Sequence, residues 1–439
     1  VPCDVDRIKR LSIIDGKDVN MARLAIVGSS KVNGVSQLHA RKLIETVFSD
    51  FYQIYPEKFL GITNGVTQRR WLLKANPRLA KLITSKIGDK WIIDLSHLKE
   101  LEQFVDDEDF IKELIRVKLA NKSDLVDVIE KRNPLRDKTG KIVSRIRVSP
   151  NSIFDIQVKR IHEYKRQLMN ALHILMQYNE IKANPNAKII PRTYIFAGKA
   201  APGYKTAKDI IQFINILARK INNDPDIEDK IKIVFMENYN VSLAEKIIPA
   251  ADVSEQISTA GMEAAGTGNN KFAMNGALTV GTWDGSTIEM AEQIGQDNKG
   301  EENVFLFGKK AEEVDILLQN GNYDPKRDMY DKYPEIKQLI DQLWNNELTD
   351  DNDEQKILWS IADRLVYKQE DGTPGDRYLV LADLLAYRDT QHQIDDLYRN
   401  PKAWGRKMLL NIARMGYFSS DRSIREYSEK VWDLKTVET

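Results

Sequence analysis

The most constraining feature of this sequence is a regular alternation of two hydrophobic patterns from Ser149 onward. Short apolar runs of strand length are followed by longer stretches in which apolar residues recur every three or four positions, as they do on one face of a helix. A chain that alternates in this way places its strands side by side in a parallel sheet and packs its helices on the sheet faces. The sequence therefore predicts an α/β fold with a doubly wound parallel sheet. The predicted strands are 153–158, 193–198, 231–236, 278–281 and 304–307.

The regions outside this alternation have other patterns. Residues 1–64 are mixed, with a run at 24–28 that is predicted as a strand and a helix predicted through 39–52. Helices with a charged surface are predicted over 91–132, and the C-terminal part of the chain has the pattern of amphipathic helices. At 439 residues, the chain is long enough for two or three domains.

The balance of charges and the rarity of cysteine exclude several classes of function. Lys and Arg together number 65, and Asp and Glu together number 65, so the formal net charge is zero and argues against a nucleic-acid or membrane partner. No apolar stretch approaches the roughly 18 residues of a membrane-spanning helix. The single cysteine, Cys3, excludes an internal disulfide, and the five histidines lack the spacing of a zinc site, so no metal is expected. Because no signal-peptide pattern opens the chain, it is predicted to be cytoplasmic.

A glycine-rich turn, GTGNNK from Gly266, is the first candidate site. Glycines let backbone N–H groups approach a phosphate closely, and a helix that begins nearby adds its dipole. The turn is neither a P-loop nor a GxGxxG motif, since Lys271 takes the place of the third glycine. Such a turn is structural about as often as it is functional. A lysine in a dry pocket beside a bound phosphate, however, becomes a reactive amine, which favours the functional interpretation.

A cationic segment, KRIHEYKR from Lys159, is the second candidate site. It follows a predicted strand and enters a helix predicted over 162–182, and ligands of open α/β sheets bind beyond the carboxyl ends of strands. Its four cations, Lys159, Arg160, Lys165 and Arg166, suit two adjacent phosphate groups. A solvated basic helix start is the alternative. Cations at a helix N-terminus oppose the helix dipole, however, so a compensating anion is expected there.

A third segment, TNGVTQRRW from Thr63, combines a polar turn with a tryptophan. The polar groups could contact a sugar, and the aromatic ring could stack on one. A turn that joins two domains around a core tryptophan is an equally good interpretation of the residues alone.

Taken together, these segments closely resemble the α-glucan phosphorylases, which act on glycogen, starch or maltodextrin. The resemblance is carried by FDIQVKRIHEYKRQ from Phe154, GKAAPGY from Gly198, SLAEKIIPAADVSEQISTAG from Ser242, GTGNNKFAMNGAL from Gly266, TNGVTQRRWL from Thr63 and FSSDRSI from Phe418. It implies a GT-B type glycosyltransferase, with two Rossmann-like domains and pyridoxal 5'-phosphate in the C-terminal one. The implied reaction cleaves a terminal α-1,4-glucosidic bond with inorganic phosphate to give glucose 1-phosphate, and the cofactor phosphate relays a proton.

The resemblance also implies roles for individual residues. Lys271 matches the lysine that forms the Schiff base with the cofactor, and Arg160 and Lys165 match the pair that bind the substrate phosphate. The positions that match cofactor contacts are Lys159, Thr267, Gly268, Tyr239 and Trp71. Those that match residues around the glucosyl unit are Asn64, Tyr164, Glu263, Ala264, Ala265 and Gly266.

This sequence departs from the family pattern in its motifs and in its length. Asn270 replaces a methionine, Gln68 a proline and Ala265 a serine. Family members are about twice as long, which implies that residues 1–64 are a remnant of the N-terminal GT-B domain. Residues 65–400 would then be the cofactor domain, and residues 401–439 helices that pack back toward the N-terminal part.

The expected partners are the glucan and inorganic phosphate, with glycogen, starch and maltodextrin equal candidates. The family forms homodimers, but most of the dimer contacts would be absent from this chain. The isolated chain is expected to be inactive. A non-catalytic cofactor-binding fragment and a structural GT-B remnant are the alternatives.

Overall fold

The computed structural model of the chain describes residues 4–136, 142–297, 300–319 and 322–435, and Cys3 lies outside them. In chain order the strands are β1 (Ile14–Asp15), β2 (Asp18–Val19), β3 (Val32–Gly34), β4 (Phe59–Gly61), β5 (Pro134–Arg136), β6 (Ile142–Arg145), β7 (Ile153–Val158), β8 (Arg192–Ala197), β9 (Ile231–Met236), β10 (Val253–Gln256), β11 (Leu278–Thr282) and β12 (Phe305–Phe307). The last six form one sheet in the order β9-β8-β7-β10-β11-β12, and every neighbouring pair in it is parallel. The predicted α/β fold with a parallel sheet is confirmed. The prediction missed β10, whose polar residues do not form an apolar run.

The strand order of this sheet reverses at β7. The chain moves outward from β7 through β8 to β9, and then returns to the other side of β7 to place β10, β11 and β12. This is the doubly wound order, in which ligands bind beyond the carboxyl ends of the strands where the order reverses. The reversal point lies between β7 and β10, and their register aligns Asp155 with Val253.

The sheet is buried on both faces. All six residues of β7 and all six of β8 are buried, as expected for a parallel sheet with helices on both sides. The polar residues of β7 are therefore buried as well, and each has a polar partner. Arg192 Nη1 donates to Asp155 Oδ2 at 2.9 Å, and Asn170 Nδ2 donates to Gln157 Oε1 at 3.1 Å. The alternation of apolar and polar residues in β7 would by itself predict that the polar side chains face solvent. They are buried instead, and these hydrogen bonds satisfy their polar groups.

Helices account for most of the remaining described residues. They are α1 (Val5–Leu11), α2 (Met21–Gly28), α3 (Gln37–Lys42), α4 (Ser49–Ile54), α5 (Pro77–Ile87), α6 (Glu108–Arg132), α7 (Gln167–Ala183), α8 (Lys205–Asn222), α9 (Val241–Ala250), α10 (Gly268–Met274), α11 (Gly285–Ile294), α12 (Ala311–Gln319), α13 (Pro334–Trp344), α14 (Asn352–Val366), α15 (Val380–Tyr398), α16 (Pro401–Ala413) and α17 (Ser420–Tyr427). Helices α7, α8, α13, α14 and α15 contact one another, and α6, α9, α10 and α16 form a second group. Among the described residues, no helix combines the length and the apolar character needed to cross a membrane.

The strand predicted at 24–28 is wrong, because these residues form the second half of α2. Asn20 caps this helix, and its side chain accepts a hydrogen bond from the Arg23 backbone N–H at 3.0 Å. A cap of this kind satisfies a free N–H of the first turn and fixes the start of a helix. The helix predicted through 39–52 is present in outline as α3, a π-helical turn at Leu43–Val47, and α4.

The segment 63–66 is hydrogen-bonded to residues 418–423, which lie far away along the chain. The backbone N–H of Val66 donates to Phe418 O at 2.8 Å, and Ser420 N–H donates back to Val66 O at 3.0 Å. Ser423 Oγ and Arg422 Nη2 both donate to Thr63 O, at 2.9 and 2.8 Å. Helix α17 therefore holds in place the turn that leads from the first residues into the central sheet.

Candidate active site

The candidate site lies at the carboxyl ends of β7 and β10, where the strand order reverses. Lys159 follows the last residue of β7, and its Nζ donates to the side-chain Oε1 of Gln256, the last residue of β10, at 2.9 Å. Burial lowers the pKa of Lys159 to about 8. A half-buried lysine that is held by a neutral amide keeps its charge available for an anion, which this position in a doubly wound sheet is suited to bind.

The sequence predicted that the cationic segment enters a helix directly, but in the structure it does not. A single 3-10 turn, Glu163–Lys165, is followed by Arg166 with φ 57°, and α7 begins only at Gln167. The left-handed backbone at Arg166 turns its side chain into the protein, where it is 0% exposed and pairs with Asp383 at 2.7 Å. Arg166 therefore does not face the site, and the predicted set of four cations is reduced to three.

The three cations that remain at the site differ in their exposure and in their partners; they are Arg160, Lys165 and Lys159. Arg160 is exposed, and within the described ranges its guanidinium has no hydrogen bond or ion pair. Lys165 Nζ forms an ion pair with Glu263 Oε2, and Tyr164 Oη donates to the same oxygen at 3.3 Å. Burial alone would raise the pKa of Glu263, but the charges of Lys159 and Lys165 outweigh it and hold that pKa below its ordinary value. The site is thus a cationic cluster that one carboxylate partly neutralises.

The glycine-rich turn lies beside this cluster. Gly266 has φ 75°, which a residue with a side chain rarely adopts, and α10 begins two residues later at Gly268. A Cβ on Gly268 would lie 3.8 Å from Gln256 Nε2, and Gln256 is the partner of Lys159. The turn is fixed from α11, because Ser286 donates to Ala265 O through its N–H at 2.9 Å and through its Oγ at 2.8 Å. Thr267 connects Gly266 to the start of the helix.

Lys271 lies on α10 with its Nζ 4.2 Å from the centre of the Trp71 ring. Burial lowers the pKa of Lys271, so a larger fraction of its amine is unprotonated and nucleophilic at neutral pH. Asn275 Nδ2 ties the two residues together, since it donates to Trp71 O at 2.7 Å and to Lys271 O at 2.9 Å. The structure thus brings the predicted lysine and the predicted aromatic into direct contact.

The other predicted residues are less tightly joined to the cluster. Ala264 is exposed, and its carbonyl accepts a hydrogen bond from Ser36 Oγ. Asn64 is half-buried and its N–H donates to Val35 O at 3.0 Å. Burial raises the pKa of Tyr239 to about 12. Over the residues that the structure covers, the side chains of Asn64 and Tyr239 make no hydrogen bond to another member of the predicted set.

Two acidic residues that the sequence did not single out hold this site together. Asp284 accepts hydrogen bonds from the backbone N–H groups of Gly261 and Glu263, at 2.9 and 2.8 Å, and thereby positions Glu263. Burial raises the pKa of Asp284 to about 7. Glu289 joins the first part of the chain to α11, because it accepts from Gln37 N–H at 3.0 Å and from Thr63 Oγ1. The Asp-Gly pair that starts α11 is a helix-start signal, and it is the sequence feature that could have identified Asp284.

Two of the motif departures are buried near this site, with opposite consequences. Gln68 is 0% exposed, and its Nε2 donates to Ile92 O at 2.9 Å, so the amide is satisfied. Asn270, next to Lys271, is also 0% exposed, but in the described part of the chain both its Oδ1 and its Nδ2 lack a partner. Unsatisfied buried amide groups lower stability.

The residues at this site fit a phosphate-bearing aldehyde cofactor. Lys271 supplies a desolvated amine, and Gly266 and Gly268 carry no side chain that would keep a phosphate from the backbone. Lys159 supplies a cation beside them. By contrast, the described residues contain no group of three or more histidine, cysteine or acidic side chains that could hold a metal ion.

Comparison with known proteins identifies relatives of this chain. The family model for carbohydrate phosphorylases matches residues 1–434. The brain form of glycogen phosphorylase from Rattus norvegicus is 46% identical over 437 residues, which are 99% of this chain and 49% of that protein. The brain form from Homo sapiens has the same identity and coverage, and the muscle form from Oryctolagus cuniculus is 45% identical over 437 residues. The chain spans about half the length of the curated relatives it matches. The resemblance inferred from the motifs is confirmed.

Proposed function

Because the chain belongs to the carbohydrate phosphorylase family, we propose that it is the C-terminal portion of an α-1,4-glucan phosphorylase. In this reaction a terminal glucosyl unit passes to inorganic phosphate and gives glucose 1-phosphate. The observation that carries the proposal is the contact between Lys271 and Trp71 at 4.2 Å, beside a glycine-rich turn and a cluster of three cations. A desolvated amine on α10 and a cationic, glycine-rich region at the start of the same helix match the two ends of pyridoxal 5'-phosphate in their chemistry.

Pyridoxal 5'-phosphate is the proposed cofactor, and when bound it supplies a phosphate that exchanges a proton with the substrate phosphate. Lys271 would hold it covalently through its side-chain amine, with Trp71 against that amine. Lys159 and the backbone of Thr267 and Gly268 would bind its phosphate, because α10 begins at Gly268 and, in the described part of the chain, Thr267 makes no side-chain cap to that first turn. Tyr239 is the remaining proposed contact.

Arg160 and Lys165 are the proposed ligands of the substrate phosphate. Arg160 has no competing partner among the described residues, so its guanidinium can bind two phosphate oxygens at once. Lys165 is paired with Glu263, and an incoming phosphate would share or replace that carboxylate. Holding the phosphate against the glucosyl carbon makes the reaction effectively unimolecular, which is the main contribution that such a site can make.

The glucosyl unit is proposed to lie against the surface formed by Tyr164, Glu263 and the 264–266 turn, with Asn64 opposite. Glu263 is positioned for this by Asp284, which fixes its backbone N–H at 2.8 Å. Asn64 is held by the backbone of Val35 and lies next to Thr63, which α17 holds. The hydroxyl groups of a sugar offer donors and acceptors to both.

The proposed organisation is that of a GT-B glycosyltransferase. Residues 1–64 are the proposed remnant of the N-terminal domain, residues 65–400 the cofactor domain and residues 401–439 the returning helices. Cytoplasmic location and the family homodimer belong to the same proposal. The chain matches relatives twice its length, so we propose that it is inactive alone. A cofactor-binding module without catalysis is the second candidate. It is favoured by the same observation, that the chain matches only about half of each relative.

Reduction with borohydride tests the cofactor assignment. Purified chain is incubated with pyridoxal phosphate, its absorbance spectrum is recorded, and it is then reduced, digested and mapped by mass spectrometry. The pyridoxyl label is expected on Lys271, and Lys271→Ala should lose it. Lys310→Ala is the matched control, because Lys310 Nζ also lies over a tryptophan ring, 5.1 Å from Trp283. A label on another lysine would refute the assignment, and the absence of any cofactor absorbance would favour a structural remnant.

A phosphorolysis assay separates the two remaining candidates. Glucose 1-phosphate formed from maltodextrin and phosphate, by this chain supplemented with the N-terminal half of a relative, would support the phosphorylase. A labelled chain that stays inactive in every such assembly would support the non-catalytic module instead.

A further inference from the structure

A pair of buried carboxyl groups lies in the sheet directly behind the cationic cluster. Asp155 on β7 and Glu255 on β10 occupy the same face of adjacent parallel strands, because Asp155 is in register with Val253, two residues before Glu255. The two residues are 1% and 0% exposed. In the part of the chain that the structure describes, Asp155 Oδ1 and Glu255 Oε2 have no hydrogen-bond partner. Buried carboxylate oxygens without donors are strongly disfavoured.

The positive charge that faces this pair is not sufficient to neutralise both carboxylates. Arg192 Nη1 donates to Asp155 Oδ2 at 2.9 Å, while its Nη2 donates to Asp395 Oδ1 at 2.7 Å. The donors that face Glu255 are neutral: Gln391 Nε2 lies 2.7 Å from its Oε1, and the Tyr387 hydroxyl also interacts with this carboxyl group. One guanidinium is therefore divided between two aspartates, and Glu255 is left without a counter-charge.

The remaining titratable groups around the pair are neutral. Tyr194 on β8 and Tyr387 on α15 face it, and His173 on α7 packs against both of those rings. Burial and the nearby Arg192 hold the pKa of His173 well below its ordinary value, so this ring supplies no charge. Burial raises the pKa of Tyr387 well above its ordinary value, so this phenol keeps its proton. Two like charges this deeply buried cannot both be ionised.

We propose that Asp155 and Glu255 hold one proton between them, carried on Glu255 Oε2 and donated to Asp155 Oδ1. This single proton satisfies both oxygens that otherwise lack partners and removes one of the two negative charges. The electrostatics agree in direction, since burial raises the pKa of Glu255 well above its ordinary value and that of Asp155 to about 6.

The proton makes Glu255 a positioning residue for the phosphate site, an inference that rests on the proposed function of Lys159. Gln256, the next residue along β10, is the hydrogen-bond partner of Lys159 Nζ. An ionised Glu255 would add negative charge behind Lys159 and raise its pKa. The protonated form leaves Lys159 to the anion at the site.

Infrared spectroscopy of protein labelled with 13C at the glutamate side-chain carboxyl tests where the proton is. In mildly alkaline buffer, the wild type should show the band of one protonated glutamic acid, which aspartic acids cannot contribute. Glu255→Gln should lose that band while the protein stays folded, because an amide N–H replaces the shared proton. Glu245→Gln, which changes a glutamate paired with Arg70, is the control and should retain the band. A wild type without the band, or a band that persists in Glu255→Gln, would overturn the proposal.

The titration of Lys159 tests the positioning role. In Asp155→Asn the new amide N–H satisfies Glu255 without a proton, so Glu255 should ionise and the pKa of Lys159, followed by NMR of its labelled Cε, should rise. In Glu255→Gln it should stay at the wild-type value. Identical titrations in Asp155→Asn and the wild type would refute the role.

Two further measurements keep this test decisive. If Asp155→Asn does not fold, Glu255→Gln should still gain stability over the wild type as the pH rises. The unfolded wild type releases the Glu255 proton that its folded state retains, which costs stability, and the variant has no such proton. A constant stability difference would then count against the proposal. Borohydride labelling of Lys271 is independent of this proton, so failure of the proposed function is recognised separately.

Discussion

Arg160 and Arg166 lie six residues apart in one cationic segment, yet the structure predicts opposite consequences for their substitution. Arg166 is fully buried, and it donates to Ile257 O at 2.7 Å, to Leu379 O at 3.0 Å and to Asp383 Oδ2 at 2.7 Å. Arg160 is exposed, and in the described ranges its guanidinium has no such contacts. The perturbation we choose is Arg→Met at each position, since methionine keeps most of the side-chain stem and removes only the guanidinium.

The size of the effect follows from what Arg166→Met leaves behind. Removing one partner of a buried ion pair costs about 3–5 kcal/mol, because the other charge stays buried without compensation. Asp383 would keep the Nζ and the backbone N–H of Lys309, at 3.5 and 3.3 Å, and three backbone carbonyls would lose their donor. We therefore expect a loss of about 3–5 kcal/mol from an unfolding free energy that is typically about 5–15 kcal/mol. Arg160→Met should change it by less than about 0.5 kcal/mol.

Urea unfolding followed by tryptophan fluorescence measures this difference directly. Binding of inorganic phosphate, measured by calorimetry on the folded proteins, adds the opposite readout. Arg160→Met should weaken phosphate binding without a change in the urea midpoint, whereas Arg166→Met should shift the midpoint. Equal urea midpoints for Arg166→Met and the wild type would show that the buried pair does not hold the segment as described.

Four further outcomes are expected. Asn270→Met should raise the urea midpoint and stabilise the chain by about 1–3 kcal/mol, because it removes an amide whose two polar atoms are buried without partners; an unchanged or lower midpoint would contradict this. In the cofactor-free chain, the affinity for a phosphate at the proposed cofactor-phosphate position should fall as the pH rises through about 8, where Lys159 loses its charge, and Lys159→Arg should flatten that dependence in a calorimetric pH series. In an active assembly, Arg160→Ala should lower kcat/KM by a factor equivalent to about 2–4 kcal/mol while cofactor absorbance is retained; an unchanged rate would exclude its role. The isolated chain with maltoheptaose, phosphate and pyridoxal phosphate should show almost no turnover, and a rate near about 10 per second would disprove the need for a second half of the cleft.

Much of the fold could be predicted because local pattern and tertiary structure agree in the parallel sheet. The strand at Ile153–Val158 has the predicted bounds, since a run of six residues that is buried on both faces is strongly constrained. The strand predicted at 24–28 failed because a short apolar run fits a helix equally well, and the Asn20 cap decided between them. A local hydrogen bond of this kind outweighs a weak periodic signal.

The candidate site was predictable in composition but not in geometry. Lys159, Lys165 and Lys271 could be found from their motifs, because clustered cations and glycines leave a local signal. The inward turn of Arg166 depends on Asp383, which is 217 positions away, and no sequence spacing encodes that contact. The same holds for Asp284, whose importance lies in the N–H groups that it accepts and not in its neighbours along the chain.

The return of α17 to Thr63 has a consequence for biosynthesis. Ser423 and Thr63 are 360 residues apart in the chain, so at about 5–20 residues per second the ribosome needs about 20–70 seconds to supply the partner of Thr63 after Thr63 itself has been made. The six-stranded sheet is complete more than a hundred residues before that moment. The turn at Thr63 therefore lacks the hydrogen bonds of Arg422 and Ser423 until then, and a nascent chain presents this incompletely bonded turn to chaperones and proteases throughout the interval.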